Sequence, residues 1–93
     1  MKKYAKLIDP KDNVVISLSQ IEANESFFVK SKNSETEFIS KQPVPFGHKI
    51  AICGIPTGGK IIKYSKEIGY ATKEIHIGDW VHTHNVKDNY EVK

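Results

Sequence analysis

Three stretches of the chain share one frame, and that frame limits what it can fold into. "SLSQIEANESF" (17–27), "AICGIPTGGKI" (51–61) and "ATKEIHIGDWV" (71–81) each place an isoleucine, then Asn or Gly three positions on, then a large apolar residue three further on. The triplets are Ile21, Asn24, Phe27; Ile55, Gly58, Ile61; and Ile75, Gly78, Val81. Asn and Gly are the residues that best tolerate a left-handed backbone. Each copy therefore reads as an apolar anchor, a tight turn with positive φ, and the start of a new strand. A chain that reuses one turn in this way is expected to form a compact sheet protein, with Ile21, Ile55 and Ile75 buried.

Strand signals fill the intervening sequence. "KYAKLI" is closed by the turn "DPKDN", and "VVISL" is rich in β-branched residues. "SFFVK" and "TEFIS" flank the polar "SKNSE" and predict a hairpin. "KQPVPFG" reads as an extended, irregular connection, and "KIAIC", "KIIKY" and "WVHTHNV" as further strands. No window carries a 3.6-residue apolar period over three turns. The expectation is a single all-β domain of short strands over residues 1–93, with at most one helical turn. Hydrophobic residues at 39% and charged residues at 27% fit a globular domain. No apolar stretch is long enough to span a bilayer, and "MKKYAKLIDP" lacks the apolar region of a signal peptide, so the expected location is cytoplasmic, away from membranes. The net charge of +3 comes from lysines scattered along the chain, which argues against nucleic-acid binding. Cys53 is the only cysteine, so no internal disulfide exists, and its place in "KIAIC" predicts a buried, reduced thiol.

Chemistry concentrates in "GDWVHTHN" (78–85), which holds two of the 4 histidines and the only tryptophan. In a strand, alternation puts Trp80, His82 and His84 on one face and Val81, Thr83 and Asn85 on the other. Imidazoles at i and i+2 have Cα atoms about 6.5–7 Å apart. They could converge on one metal ion or flank one substrate. A site needs a further group, and His48 in "FGHKIA" is the best candidate, with Asp12 and Asp79 as possible oxygen ligands. His76 falls in the turn before the strand and reads as a surface residue. Lys49, Lys63 and Tyr64 are candidates for binding a carboxylate or sulfonate. "TGGK" lacks the spacing of a phosphate loop and precedes a strand. Against these stand plainer readings: a solvated edge strand, a core tryptophan and solubilising lysines.

Four segments, "DNVVISL" (12–18), "FGHKIAICGI" (46–55), "GGKIIKYSKEIGYAT" (58–72) and "IHIGDWVHTHN" (75–85), resemble the SAF-type small domain of the altronate dehydratase family. That family includes the small subunit of altronate dehydratase, the amino-terminal domain of galactarate dehydratase and the small subunit of sulfolactate sulfo-lyase. The resemblance implies a β-clip fold and a lyase that removes water or sulfite from a hydroxylated acid. It implies a large catalytic lyase subunit as partner, a sugar-acid or sulfonated hydroxy-acid substrate, and iron(II) or another divalent metal as cofactor. The pattern carries over onto Gly47, His48, Lys49, Tyr64, Gly69, His82, His84 and Asn85. It implies His48, His82 and His84 as catalytic groups, His82 and His84 as metal ligands, and Lys49, Tyr64 and Asn85 as substrate contacts. The His-x-His pair, absent at this place in galactarate dehydratase, points to the altronate or sulfolactate branch. Two departures stand out: Ser65 occupies a position usually held by glycine, and the polar segment between Asn24 and Pro45 matches poorly. Outside that family, the alternatives are a non-catalytic carbohydrate- or anion-binding module and, further off, a nucleic-acid-binding domain.

Overall fold

Four turns of one kind organise the chain, one more than the repeated frame predicted. The computed structural model describes residues 2–88; residue 1 and residues 89–93, the ends of the expected 1–93 unit, lie outside that description. The turns close with backbone bonds from Glu25 to Glu22, His48 to Pro45, Gly59 to Pro56 and Asp79 to His76. In each, the third residue is left-handed: Asn24 at φ 66°, Gly47 at 83°, Gly58 at 84° and Gly78 at 92°. Positive φ at the third position is the signature of a type II turn. The fourth copy is Val44, Gly47, Ile50.

The turns work in pairs. Ile21 and Val44 exchange both backbone bonds at 2.9 and 2.8 Å, and Ile55 and Ile75 do the same at 2.8 and 2.8 Å. Each left-handed residue then donates its N–H to the carbonyl just ahead of the partner turn. The four bonds are Asn24 to Ser40, Gly47 to Ser17, Gly58 to Ala71 and Gly78 to Ala51. Two clasps result, the first from turns 1 and 2, the second from turns 3 and 4. In turns 1 and 4 a carboxylate at the fourth position caps the N–H of the first, Glu25 on Glu22 and Asp79 on His76. Turns 2 and 3 begin with Pro45 and Pro56, which have no N–H to cap. Their fourth positions are free for other residues, His48 and Gly59.

Nine strands hang on this frame: β1 (Tyr4–Lys6), β2 (Val14–Ser17), β3 (Ser26–Ser31), β4 (Ser34–Ile39), β5 (Lys49–Ala51), β6 (Lys60–Lys63), β7 (Lys66–Ala71), β8 (Trp80–Val81) and β9 (Val86–Asp88). A six-stranded sheet runs β4-β3-β1-β2-β5-β8, and a three-stranded one runs β6-β7-β9. No helix occurs among the described residues, so the fold is all-β as expected of an SAF-type β-clip. Each clasp has its own core. Ile21, Phe27, Val44 and Ile50 pack with Ala5, Val15 and Val29; Ile55, Ile61, Ile75 and Val81 pack with Val14, Ala51 and Ala71. Strand alternation joins the two. On the β2–β5 ladder, Val15 opposite Ile50 faces the first core and Val14 opposite Ala51 faces the second. Each large side chain so buried contributes about 1.5–3 kcal/mol.

Three expectations need correction or refinement. "WVHTHNV" is not one strand: β8 stops at Val81, residues 82–85 turn, and β9 begins at Val86. Cys53 is exposed, because β5 ends at Ala51 and the thiol lies on the bend leading into turn 3. Ser65, in place of glycine, still adopts φ 58° beside Tyr64 at 56°, the pair of left-handed residues that a two-residue hairpin turn requires. The buried Asp12 carboxylate accepts both of their N–H groups, at 2.8 and 3.0 Å, and so helps to hold residues that disfavour this backbone. Asp12 is therefore a turn cap.

The turns differ in what a methyl group would meet. A Cβ on Gly47 meets nothing, so Gly47→Ala carries only the backbone cost, about 1–2 kcal/mol. A Cβ on Gly78 would overlap the carbonyl oxygen of Ile39. Urea denaturation should show Gly78→Ala losing clearly more stability than Gly47→Ala; the reverse order would contradict this account of the turns.

Candidate functional site

Register brings the histidines together. β5 leaves turn 2 and β8 leaves turn 4, and they pair antiparallel with Lys49 opposite Val81 and Ile50 opposite Trp80. One residue further out, the same register sets His48 opposite His82. Their rings lie 4.7 Å apart between centroids. Alternation puts Trp80 on the same face: its ring stacks on His82 at 5.3 Å with an interplanar angle of 6°. Trp80 also meets His48 at 5.7 Å and His84 at 5.1 Å. The indole Nε1–H donates to His48 Nδ1 at 3.1 Å. The body of Trp80 packs against the first core, so it is both core residue and platform.

Polar side chains, Ser17 and Asn85 buried and Gln42 half-buried, pin the backbone at the rings. Ser17 Oγ donates to the Pro45 carbonyl at 2.6 Å and accepts the His48 N–H at 3.2 Å. Gln42 Oε1 accepts the Trp80 N–H at 2.8 Å, and Gln42 Nε2 donates to Asp79. Asn85 Oδ1 accepts the His82 N–H, and Asn85 Nδ2 donates to the Trp80 carbonyl, both at 2.9 Å. Asn85, expected at the substrate, is buried, with its oxygen and its amide group both engaged in shaping the turn that carries His82 and His84. Asp79, a possible oxygen ligand, caps turn 4.

Beside the cluster lies a cleft of about 530 Å³, whose walls include Lys49, Ile68, Thr72, His82, Thr83 and Val86. His82 belongs to both cluster and cleft. Burial, and then the charge of Lys63, push the Lys49 ammonium below its ordinary value. Burial also lowers His82, with smaller contributions from His48, Lys49 and His84. Gly69 lets β9 lie close against β7, since a Cβ there would overlap the carbonyl oxygen of Lys87 on β9. Tyr64 stands exposed at the β6–β7 turn with the Lys63 ammonium 5.3 Å from its ring centre. His76 is on exposed turn 4, 3.7 Å from both Glu74 and Asp79, away from the cluster. Among the described residues, no three His, Cys, Asp or Glu side chains are grouped so as to hold a metal ion. The rings of His48, His82 and His84 gather around an indole.

Sequence reading missed Ser17, Gln42, Thr72 and Thr83. Only a register could have found them, because each acts on a residue distant in sequence or through a loop wall.

The site is thus a cleft shared by Lys49 and His82, with a histidine and indole cluster beside it, on a two-clasp all-β domain. The chain belongs to the altronate/galactarate dehydratase SAF domain family, whose model matches residues 3–89. It is 36% identical over 89 residues to altronate dehydratase of Bacillus subtilis (strain 168), a match covering 96% of this chain and 17% of that protein. It is 39% identical over 59 residues to (2R)-sulfolactate sulfo-lyase subunit alpha of Paracoccus pantotrophus, covering 63% and 88%. The same subunit from Chromohalobacter salexigens is 35% identical over 75 residues, covering 78% and 80%. The chain therefore spans only about a sixth of the dehydratase but most of the sulfo-lyase subunit.

Two outcomes follow. Asn85→Ala should cost about 1–3 kcal/mol in urea denaturation, because it strands the His82 N–H and the Trp80 carbonyl; an unchanged midpoint would show that the turn holds itself. The second concerns pH. Unfolded His82 titrates at about 6.5 and the folded ring lower, so the folded protein binds fewer protons in between. The stability owed to neutral His82 is present above the unfolded value and lost as pH falls through the folded one. On acidification, wild type should lose more stability than His82→Gln; equal losses would contradict the lowered value.

Proposed function

We propose that this domain supplies the electropositive wall of a lyase site and works as the small subunit of an altronate-like dehydratase or a sulfolactate sulfo-lyase. The single observation that carries the proposal is the juxtaposition of Lys49 and His82 in one cleft, with His48 and His84 gathered beside it. The family match supports the lyase class. A separate large catalytic subunit provides the rest of the enclosure. An open cleft on a small β domain does not exclude water, and proton abstraction beside a carboxylate depends on a dry site.

The roles follow from the chemistry. Lys49 binds the carboxylate of a sugar acid or sulfonated hydroxy acid. His82, favoured as the neutral ring, moves the proton between substrate and solvent, and His84 assists it. Tyr64, beside Lys63, is the outermost group assigned to the substrate. Asn85 positions the histidine turn. Iron(II) or another divalent ion belongs at the joint with the large subunit. There it would polarise a carboxylate or hydroxyl. His82 and His84 would hold it only in place of moving the proton, and as at most two of its ligands, because this chain's described residues do not complete a set of three. The compartment that goes with this reading is the cytoplasm, which the family match supports.

The test is to express the chain with a large lyase subunit and assay D-altronate and (2R)-sulfolactate. The isolated chain should turn over neither. In the complex, His82→Ala or His84→Ala should lower turnover by about 100-fold or more, the scale of a lost acid/base group. His76→Ala should change it little. Full activity in the His82→Ala, His84→Ala double variant would contradict the proposal and leave a non-catalytic anion-binding module.

A further inference from the structure

We propose that Trp80 fixes His48 as a hydrogen-bond donor, so that His48 polarises or binds an anionic oxygen through Nε2–H and is neither the base nor a metal ligand. An indole nitrogen can only donate. The ring atom that faces it at 3.1 Å, His48 Nδ1, must therefore carry a lone pair. A neutral imidazole with an unprotonated Nδ1 has its proton on Nε2. The atom on the ring's far side from the indole is thus an N–H. Freeing Nε2 to take a proton or a metal would move the proton to Nδ1, where it would point at the indole N–H and cost that bond.

The surroundings hold both partners in this arrangement. Ser17 pins the His48 backbone from below, and Gln42 and Asn85 hold the N–H and C=O of Trp80. His82 stacks on the open side of the indole, and the Trp80 body is packed on the first core. Neither ring can turn away without breaking these contacts. The two half-buried histidines then divide the work: His48 presents a hydrogen, and His82, whose ring has no such hydrogen bond among the described residues, is left to move protons. A neutral imidazole used as a donor is suited to a carboxylate or to the oxyanion that develops beside it. That second half rests on the lyase reading; the tautomer itself does not.

Nitrogen-15 NMR of the isolated full chain at about pH 8, above the ordinary imidazole range, reads the tautomer directly. The expected spectrum has a pyridine-like Nδ1 and a protonated Nε2 on His48, with a scalar coupling across the hydrogen bond to Trp80 Nε1. Trp80→Phe keeps an aromatic ring but should abolish that coupling and raise the Nδ1–H share. A protonated Nδ1 on wild-type His48 would overturn the proposal, whatever the enzyme does. In the complex with a large subunit, turning over D-altronate or (2R)-sulfolactate, His48→Gln restores an N–H near the Nε2 position but no base. It should retain roughly tenfold more turnover than His48→Ala, the scale of a hydrogen bond to a charged group. Equal loss in the two variants would show His48 to be a proton carrier. Absence of turnover in wild type would count against the lyase reading alone, leaving the NMR result to decide the tautomer.

Discussion

Reciprocal backbone bonding between paired turns is the constraint on which the rest depends. A turn whose third residue is left-handed directs its N–H sideways, and here that N–H always finds the carbonyl ahead of a second turn. Neither turn of a pair is complete without the other. Ile21 with Val44, and Ile55 with Ile75, are fully or almost fully buried by that pairing, and each pair seeds a core. Very short strands suffice because the turns, rather than long ladders, fix the geometry. Strands of two or three residues such as β8 and β1 would have little independent stability.

The site inherits its precision from the same device. β5 issues from one clasp and β8 from the other, so the ladder between them holds the clasps in register. His48 and His82 are that ladder's next, unpaired rung. Proline has a specific part in this. Where a turn starts with Glu22 or His76, its fourth residue is a carboxylate occupied with capping. Where it starts with Pro45, there is nothing to cap, and the fourth position carries an imidazole. The imidazole stands at the place where the frame releases a side chain from structural duty. Asn85 shows the converse: a polar residue beside two histidines whose oxygen and amide nitrogen both hold backbone groups.

Much of the fold was legible in the sequence, because the Ile-x-x-Gly frame states both burial and backbone hand. The fourth copy escaped notice since Val44 replaces isoleucine and two prolines flank it, disguising an ordered turn as an irregular connection. The grouping of His48 with His82 and His84 was anticipated, but for a reason only half right. Strand alternation accounts for Trp80 and His82; His84 reaches the indole through a turn that begins after Val81. Spacing alone does not reveal where a strand stops, and the stop here is set by the Asn85 side chain reaching back to Trp80. Cys53 was misplaced by the same error, since a run of apolar letters outlasted its strand by two residues. The resemblance to lyase small domains identified the family, whereas the bond that ties the His48 ring to Trp80 shows only in the hydrogen-bond partners.

The central claim is that the two clasps are the most firmly closed parts of the molecule and hold the histidine cluster between them. Native-state hydrogen exchange of the amides of Asn24, Gly47, Gly58 and Gly78 tests it most directly. The account predicts that all four exchange only through global unfolding, and that partners within a clasp, Asn24 with Gly47 and Gly58 with Gly78, show matching protection free energies. Rapid exchange at these turns while the amides of β2 and β5 stay protected would contradict it, placing the stability in the central ladder and leaving the turns as its passive connections.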